Sequence, residues 1–308
     1  MQTGCHVGYE QLNGWAADDH AAALAVFRTT LTALPGSDWA EVCAAAETVR
    51  DARGFFEAWL LPVMIGTQTL FTGYYEPELS GSLMRDARYQ IPVYPMPQQL
   101  PDGPWLTRRK IEEGEVLAGR ALCWIAEPLD LFFMQVQGSG RVRLPDGRVL
   151  RLGFAGRNGH PYRSIGAELI ARGVCPAEQM SMQVIRDWAA RHPGDVQALL
   201  WCNPSYVFFR EITGIAPDQG PVGALGVPVT PLRSVAVDPA HVPLGAPVWI
   251  ETAGLRRLMV AQDTGSAIKG PDRADVFCGT GSAAGAQAGV MREAGQMFAL
   301  LPRKIARA

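Results

Sequence analysis

The pattern of the sequence changes at Pro62, where helical periodicity gives way to short β-prone runs separated by Pro and Gly. Upstream of this point, the segment 19–61 has apolar residues at helical spacing and predicts helices. Asp38 with Glu41 three residues later is a capping-box pair, and Pro35-Gly36 separates that helix from the preceding one. A helical start followed by a long β-rich part is therefore expected.

A β-hairpin is predicted where two alternating runs, 141–144 and 148–152, flank Pro145-Asp146-Gly147. The Asp-Gly pair favours the tight turn that such a hairpin needs. Two helices are predicted after it, over 165–172 and 182–191, because capping and stop residues bound both segments. This middle part of the chain is expected to be a sheet with helices against one side.

Three short runs bounded by turn residues, 234–237, 247–250 and 258–261, predict strands in the last third of the chain. They indicate a small barrel. The segment 282–300 is rich in small residues and is expected to be a final helix. No repeat with a period between about 20 and 50 residues occurs, which argues against solenoids and propellers.

Length and composition predict a folded protein of about two domains. The chain has 308 residues, of which 48% are hydrophobic and 19% charged. Its 28 basic and 30 acidic residues give a net charge of -2 without a long run of either sign, so nucleic acid is not an expected partner. The richest apolar stretch, 58–65, is much shorter than the roughly 20 residues that span a bilayer.

The six cysteines are widely scattered, with no Cys-x-x-Cys pair and no histidine at ligand spacing. We therefore expect no metal and no other cofactor. Disulfides stay open as an alternative, since six cysteines permit 15 pairings and the sequence does not choose among them.

The densest polar cluster runs from 262 to 277, directly after the predicted strand 258–261. Polar loops that leave a strand are common places for catalytic groups. If Asp275 is partly buried there against Val276 and Phe277, desolvation would raise its pKa, as a general acid requires. A solvated turn built from Asp, Gly and Pro is the alternative.

Two other motifs near this cluster point to different chemistry. Asp263-Thr264-Gly265-Ser266 matches the active-site tetrapeptide of aspartic proteases, but those enzymes need a second such aspartate and the chain has none. A protease would therefore require a dimer. The glycines of 279–285 resemble a dinucleotide-binding turn, yet too little chain follows for a β-α-β unit. A helix start explains them better.

Two clusters, 136–140 and 155–164, are rich in Gln, Ser, Asn and Arg beside a tyrosine. Such groups suit sugar hydroxyls and sugar ring faces, although two tight turns and a helix cap would also account for them. Tyr74 and Tyr75 are adjacent on a predicted strand, so they point to opposite faces and one of them can line a cleft.

Taken in order, several motifs resemble the membrane-bound lytic murein transglycosylase A family. The matching segments are Phe71-Thr-Gly-Tyr-Tyr75, Tyr94-Pro-Met-Pro97, Val136-Gln-Gly-Ser-Gly140, 156–166, Met180-Ser-Met-Gln183, 203–209 and 258–270. The resemblance implies a mainly β fold with peripheral helices. A double-psi β-barrel catalytic domain would comprise residues 1–76 and 214–308, and an inserted β-rich domain, 77–213, would form the other wall of a glycan groove.

The resemblance further implies that Asp275 is the catalytic residue, with Asp263 and Asp238 as supporting carboxylates. Asp275 would protonate the oxygen that links N-acetylmuramic acid to N-acetylglucosamine, then accept the proton of the muramic acid C6 hydroxyl as a 1,6-anhydro ring closes. Ordinary glycosidases need two carboxylates, but an attacking hydroxyl already tethered to the substrate removes the second requirement. The expected substrate-binding residues are Tyr74, Tyr75, Gln137, Ser139, Asn158, Thr264 and Lys269.

The implied partner is the peptidoglycan glycan strand, bound by a monomer in the periplasm or cell envelope. Residues 1–5 lack the charged and then apolar run of an export signal, and Cys5 has no apolar run before it, so membrane association is expected only through a lipid anchor outside this sequence. Two alternatives stay open: a glycan-binding protein without activity, and a hydrolase that uses Asp263 as the second carboxylate.

Overall fold

The computed structural model describes residues 6–34 and 36–306, so Cys5 and Pro35 lie outside the described residues. The α-helices are α1 His20–Arg28, α2 Ser37–Thr48, α3 Ala52–Trp59, α4 Arg108–Glu113, α5 Pro128–Gln137, α6 Ile165–Ala171, α7 Met182–Arg191, α8 Val196–Trp201, α9 Gly281–Val290 and α10 Arg303–Ala306. The strands are β1 Leu60–Glu76, β2 Glu78–Ser82, β3 Ile91–Val93, β4 Cys123–Ile125, β5 Ser139–Arg143, β6 Val149–Arg157, β7 Val207–Glu211, β8 Ser234–Ala236, β9 Pro247–Thr252, β10 Arg256–Asp263, β11 Arg273–Thr280 and β12 Arg292–Pro302.

The chain divides into two compact units. The barrel unit comprises Met1–Tyr75, Ala216–Gly279 and Ala283–Ala308, and the insert unit comprises Glu76–Ile215 and Thr280–Ser282. The first is a double-psi β-barrel with helices packed on it, and the second is a β-rich domain with its own helices. The mainly β fold class expected from the sequence is confirmed, whereas the groove and the division of roles between the domains stay predictions.

The barrel closes through six strands in the order β1-β11-β8-β10-β9-β12. Strand β1 runs antiparallel to β12 from Leu60 opposite Pro302 to Thr72 opposite Arg292, and β10 runs parallel to β8. Every residue of β9 is buried, including Trp249 at 0% exposure. Helices pack on the strands to either side of it, α1 against β10 and α2 against β12. The barrel expected from the three C-terminal strands is confirmed.

The insert unit contains a six-stranded sheet in the order β3-β4-β2-β5-β6-β7. Its β5–β6 hairpin confirms the prediction, with Arg143 paired to Val149 across the turn. Gly147 has a φ of +86°, a left-handed conformation that glycine adopts without steric cost. The helices predicted over 165–172 and 182–191 are present as α6 and α7.

Two details of the N-terminal helical prediction are wrong. The capping box does not form, because α2 already begins at Ser37 after Gly36, which places Asp38 inside the helix. The last helix ends at Trp59 rather than at residue 61, and Pro62 lies within β1. Proline is tolerated there because Pro62 faces the N-terminal segment, where its carbonyl accepts from the Val7 amide, so its missing N–H takes no donor from the ladder with β12.

The prediction of one helix over 282–300 is also wrong. The helix α9 ends at Val290, and the chain then forms β12, whose residues Met297 to Leu301 are buried between β1 and β9. Long-range pairing with two strands outweighs the helical preference of the small residues. The helix α5 was not predicted, and it includes Val136 and Gln137, which the sequence analysis considered part of a turn.

The five described cysteines, Cys43, Cys123, Cys175, Cys202 and Cys278, are free thiols. A search of the described residues finds no helix with the length and apolarity needed to cross a membrane.

A buried ion pair ties the N-terminal segment to the barrel. Arg233 donates to both carboxylate oxygens of Asp18, at 2.8 and 3.1 Å, and also to the carbonyl of Leu258. The Leu258 amide donates to Asp18 in return. The two charged side chains are only 10% and 5% exposed, so removing one of them leaves the other buried without its counterion.

We therefore predict that Asp18→Ala lowers the free energy of unfolding of the barrel unit by about 3–5 kcal/mol. The matched control is Asp19→Ala, which removes only the N-cap hydrogen bond to Ala22 and should cost about 1 kcal/mol. Hydrogen exchange of the β9 and β10 amides measures both. An equal loss of unfolding free energy in the two variants would contradict a stabilising role of the Asp18–Arg233 pair.

Candidate active site

Asp275 lies on β11, opposite Ala236 of β8. Side chains alternate along a strand, and Ala274 and Val276 belong to the barrel core. Arg273, Asp275 and Phe277 therefore share the opposite face. Asp275 is half-buried there, which agrees with the partial burial expected from the sequence. Val276, which was expected to pack against it, faces the barrel core instead.

The Asp275 carboxyl accepts a short hydrogen bond at Oδ1 from the hydroxyl of Thr72 on the neighbouring strand β1. Burial raises the pKa of Asp275 above its ordinary value, and the negative charge of Asp263 acts in the same direction. The Thr72 hydrogen bond and the positive charge of Arg273 oppose this rise. The environment therefore favours a protonated carboxyl at a pH where an exposed aspartate is ionised.

Asp263 lies at the end of β10 and accepts three hydrogen bonds. The Tyr74 hydroxyl donates to Oδ2 at 2.9 Å, while the amides of Ala224 and Thr264 donate to Oδ1, each at 2.9 Å. Burial raises the pKa of this carboxyl too, and the three donors act against the rise. Because both oxygens are occupied, Asp263 is held firmly in place.

Tyr74 lies two residues after Thr72 on β1, so both side chains emerge on the same face of the strand. Its ring packs against Phe277 with centroids 5.2 Å apart. Burial and the nearby Asp263 raise the pKa of Tyr74 well above its ordinary value. The hydroxyl therefore stays protonated and acts as a donor.

Asp238 has a different environment. It accepts hydrogen bonds from the amides of Gly270, at 2.8 Å, and Ala240, at 3.1 Å. These two bonds, with a smaller contribution from Lys269, lower the pKa of Asp238. A carboxyl stabilised in its ionised form is a poor proton donor, so Asp238 acts as an anchor for the loop that contains Gly270.

That loop, 264–272, connects β10 to β11. Ile268 is buried at 3% exposure and fixes its middle, while the amide of Leu70 donates to the carbonyl of Asp272 near its end. Thr264 is half-buried and Lys269 is exposed. The structure thus brings Thr264, Lys269 and the three predicted aspartates into one unit.

Tyr75 is buried at 6% exposure. A Cβ atom at Gly285 of α9 would lie 2.8 Å from its ring, so the two surfaces are in close contact. The strand places Tyr74 and Tyr75 on opposite faces, as the sequence predicts, and gives Tyr75 a packing role.

The remaining predicted residues belong to the insert unit. Gln137 is half-buried at the end of α5, and Ser139 begins β5 at 8% exposure. Asn158 is 1% exposed, and its amide group bonds only to backbone, donating to Leu106 and Pro204 and accepting from Tyr206. Its amide hydrogens are both used, so Asn158 stabilises the insert unit rather than offering donors to a sugar.

Sequence reasoning missed Thr72 and did not single out Arg273 from the charged loop. Arg273 donates to the Thr72 hydroxyl at 2.8 Å. The signal for Thr72 was present, since it lies two positions before Tyr74 on a predicted strand and must share its face. No group of three or more His, Cys, Asp or Glu side chains within the described part of the chain could hold a metal ion.

Two family models match the chain. The model for the MltA specific insert domain matches residues 70–210, and the model for the 3D domain matches residues 233–301. Among curated proteins, the chain is 39% identical over 243 residues to the membrane-bound lytic murein transglycosylase A of Escherichia coli strain K12. The match covers 75% of this chain, and this chain spans 65% of the length of that relative.

Solved structures agree with this match. A membrane-bound lytic murein transglycosylase from Agrobacterium tumefaciens has a TM-score of 0.90 and 33% identity, with 98% of each chain covered. The structure of E. coli MltA with bound chitohexaose has a TM-score of 0.77 and 31% identity, covering 98% of this chain and 93% of that one. The sequence motifs, the barrel with its insert and these similarities agree, and the chain belongs to the membrane-bound lytic murein transglycosylase A family.

Proposed function

We propose that the chain is a lytic transglycosylase that cleaves the β-1,4 bond between N-acetylmuramic acid and N-acetylglucosamine in peptidoglycan. One observation carries this proposal: Asp275 is a half-buried carboxyl with a raised pKa on a barrel strand, and among the described residues it is hydrogen-bonded through Oδ1 alone. Relatives named as lytic murein transglycosylases and the chitohexaose bound to one of them support it.

In the first step, neutral Asp275 donates its proton to the glycosidic oxygen. The bond from that oxygen to C1 of the muramic acid breaks, the N-acetylglucosamine leaves as a hydroxyl, and positive charge develops at C1. A general acid works best when its pKa lies near the working pH. The burial that raises the pKa of Asp275 therefore serves this step directly.

In the second step, the ionised Asp275 accepts the proton of the muramic acid C6 hydroxyl as that oxygen bonds to C1. A 1,6-anhydro ring forms, and Asp275 returns to its neutral form. No water is consumed. The nucleophile is already attached to the reacting sugar, so the second carboxylate of an ordinary glycosidase is unnecessary.

Asp263 supports the reaction by holding Tyr74 and the start of the loop 264–272. Its two oxygens already accept three hydrogen bonds. These donors hold the carboxylate in place and stabilise its negative charge, which makes it a weaker nucleophile. We therefore assign Asp263 a supporting role and not that of a nucleophile.

We propose that Tyr74, Thr264, Lys269, Gln137 and Ser139 contact the glycan strand. The Lys269 ammonium is exposed and suits a hydroxyl or carboxylate of the substrate. Tyr75 and Asn158 are left out of this set because the structure uses them for packing and for backbone hydrogen bonds.

The proposed enzyme acts as a monomer and without a cofactor. One chain supplies the acid, its hydrogen-bond partner Thr72 and the charged neighbour Arg273. Peptidoglycan lies outside the cytoplasmic membrane, so we place the activity in the periplasm or cell envelope.

The first test is Asp275→Asn, which keeps the shape of the side chain but cannot donate a carboxyl proton. We predict that the wild-type chain releases 1,6-anhydro products from purified sacculi and that the variant loses at least about 100-fold in rate, since general acid catalysis typically contributes 10²–10⁴-fold. Mass spectrometry of the digest measures both. Retained activity in the variant would contradict the assignment.

The same spectra separate the rival functions. A hydrolase that uses Asp263 would give reducing ends, which carry the mass of one added water. A glycan-binding protein would give no product while still retaining sacculi in a pull-down. Either result for the wild-type chain would overturn the proposed function.

The pH dependence gives a second prediction. Asp275 must be protonated to act, so kcat/KM should fall as pH rises through its raised pKa. The raised pKa also makes the free energy of unfolding depend on pH, because the folded chain holds this proton to a higher pH than the unfolded chain. The resulting stabilisation is complete below the pKa of an unfolded aspartate and is lost as pH rises through the folded pKa.

An asparagine side chain does not ionise, so Asp275→Asn avoids the destabilisation that the wild type undergoes as pH rises. We therefore expect the variant to be at least as stable as the wild type at pH 7. Thermal unfolding at pH 4 and pH 7 measures the difference. A variant that is less stable than the wild type at pH 7 but not at pH 4 would contradict the raised pKa.

A further inference from the structure

Arg273 connects two neighbouring strands of the barrel directly beside Asp275. From β11, its Nη1 atom donates to the carbonyls of Leu70, at 3.1 Å, and Ala274, at 2.9 Å. Its Nη2 atom donates to Thr72 Oγ1 at 2.8 Å. Three hydrogen bonds fix the planar guanidinium, so its direction towards Thr72 is set before any substrate arrives.

The Thr72 hydroxyl has one hydrogen and two acceptor lone pairs. Because a guanidinium can only donate, Arg273 occupies one of the lone pairs and leaves the hydrogen of Thr72 free to point elsewhere. Asp275 Oδ1 is the acceptor that this hydrogen finds among the described residues. With one lone pair taken by Arg273 and no other acceptor for its hydrogen among the described residues, the Thr72 hydroxyl donates to Asp275.

An Oδ1 atom that accepts from Thr72 is a poor place for the carboxyl proton. When Asp275 is neutral, its proton therefore sits on Oδ2, which receives no hydrogen bond from the described residues. Oδ2 is the oxygen left for the glycosidic bond.

We propose that Arg273 is a positioning residue for the proposed reaction, acting through Thr72 to place the reactive proton of Asp275 on Oδ2. This inference rests on the proposed transglycosylase function. Thr72 and Arg273 also stabilise the carboxylate that forms as Asp275 gives up its proton in the first step.

The other ionisable groups around Asp275 do not substitute for Arg273. Asp263, on β10, is negative and raises the pKa of Asp275. Tyr74 on β1 and Cys278 on β11 both have pKa values raised by burial, that of Cys278 to about 12, and stay neutral. Ala236 faces Asp275 from β8 and carries no charge. Arg273 is therefore the positive charge that balances the carboxylate.

The experiment compares Arg273→Gln, Thr72→Val and the double variant in the release of 1,6-anhydro products, each across a pH range. We expect kcat/KM to fall about tenfold in each single variant, since orientation is lost without loss of the acid itself. Because Arg273 acts through Thr72, the double variant should lose little more than either single variant.

The pH profile should also move. Arg273 and Thr72 both lower the pKa of Asp275, so removing either one raises that pKa and shifts the alkaline limb of kcat/KM to higher pH. Thr72→Ser, which keeps the hydroxyl, should recover most of the rate lost in Thr72→Val. The matched control is Arg303→Gln, which likewise removes hydrogen bonds to two backbone carbonyls and should leave rate and profile unchanged.

If Arg273→Gln does not fold, a second substitution at the same position provides the test. Arg273→Lys keeps the charge but lacks the planar fork, so we expect a lower rate with little shift of the alkaline limb. The inference is overturned if Arg273→Gln lowers the rate equally at every pH with no shift of the alkaline limb. It is also overturned if the losses of the single variants multiply in the double variant. A wild-type chain that releases no anhydro product would instead contradict the proposed function.

Discussion

The candidate site depends on one contact between strands, that of β1 with β11 in the closed barrel. This contact places Thr72 beside Asp275 although 203 positions separate them. On its other side, β1 is paired with β12 over most of its length. A closed barrel has no free edge, so a shift of either strand would break hydrogen bonds around the ring and turn side chains to the wrong face. The surroundings of Asp275 are therefore fixed by the pairing of strands.

Within this barrel, the half-buried carboxyls of Asp263 and Asp275 differ in their hydrogen-bond partners. Among the described residues Asp275 accepts one hydrogen bond, at Oδ1, which leaves Oδ2 for the proposed proton transfer. Asp263 accepts three and holds Tyr74 in place. Asp238, bound by two amides and with a lowered pKa, secures the loop between them. One reactive carboxyl is enough when the attacking group belongs to the substrate.

Local signals predicted the β5–β6 hairpin, the helices α6 and α7 and the C-terminal strands, because turn and cap residues act over a few positions. They failed for β12, where pairing with two distant strands decides the conformation. The polar loop after β10 was visible in the sequence, but local chemistry did not separate Asp263 from Asp275. Thr72 and Arg273 went unassigned because their role arises only when β1 lies beside β11. Residue type alone also could not reveal that Tyr75 packs against α9 and that Asn158 binds backbone groups of the insert unit.

The proposed function requires that the glycan bond is broken without water, by one carboxyl and a nucleophile from the substrate itself. Digestion of sacculi in water enriched in ¹⁸O tests it most directly, with a hydrolytic glycosidase such as lysozyme as the control that labels its new ends. New muramic acid ends formed by this chain should carry no ¹⁸O. Incorporation of one ¹⁸O atom at each new end would contradict it.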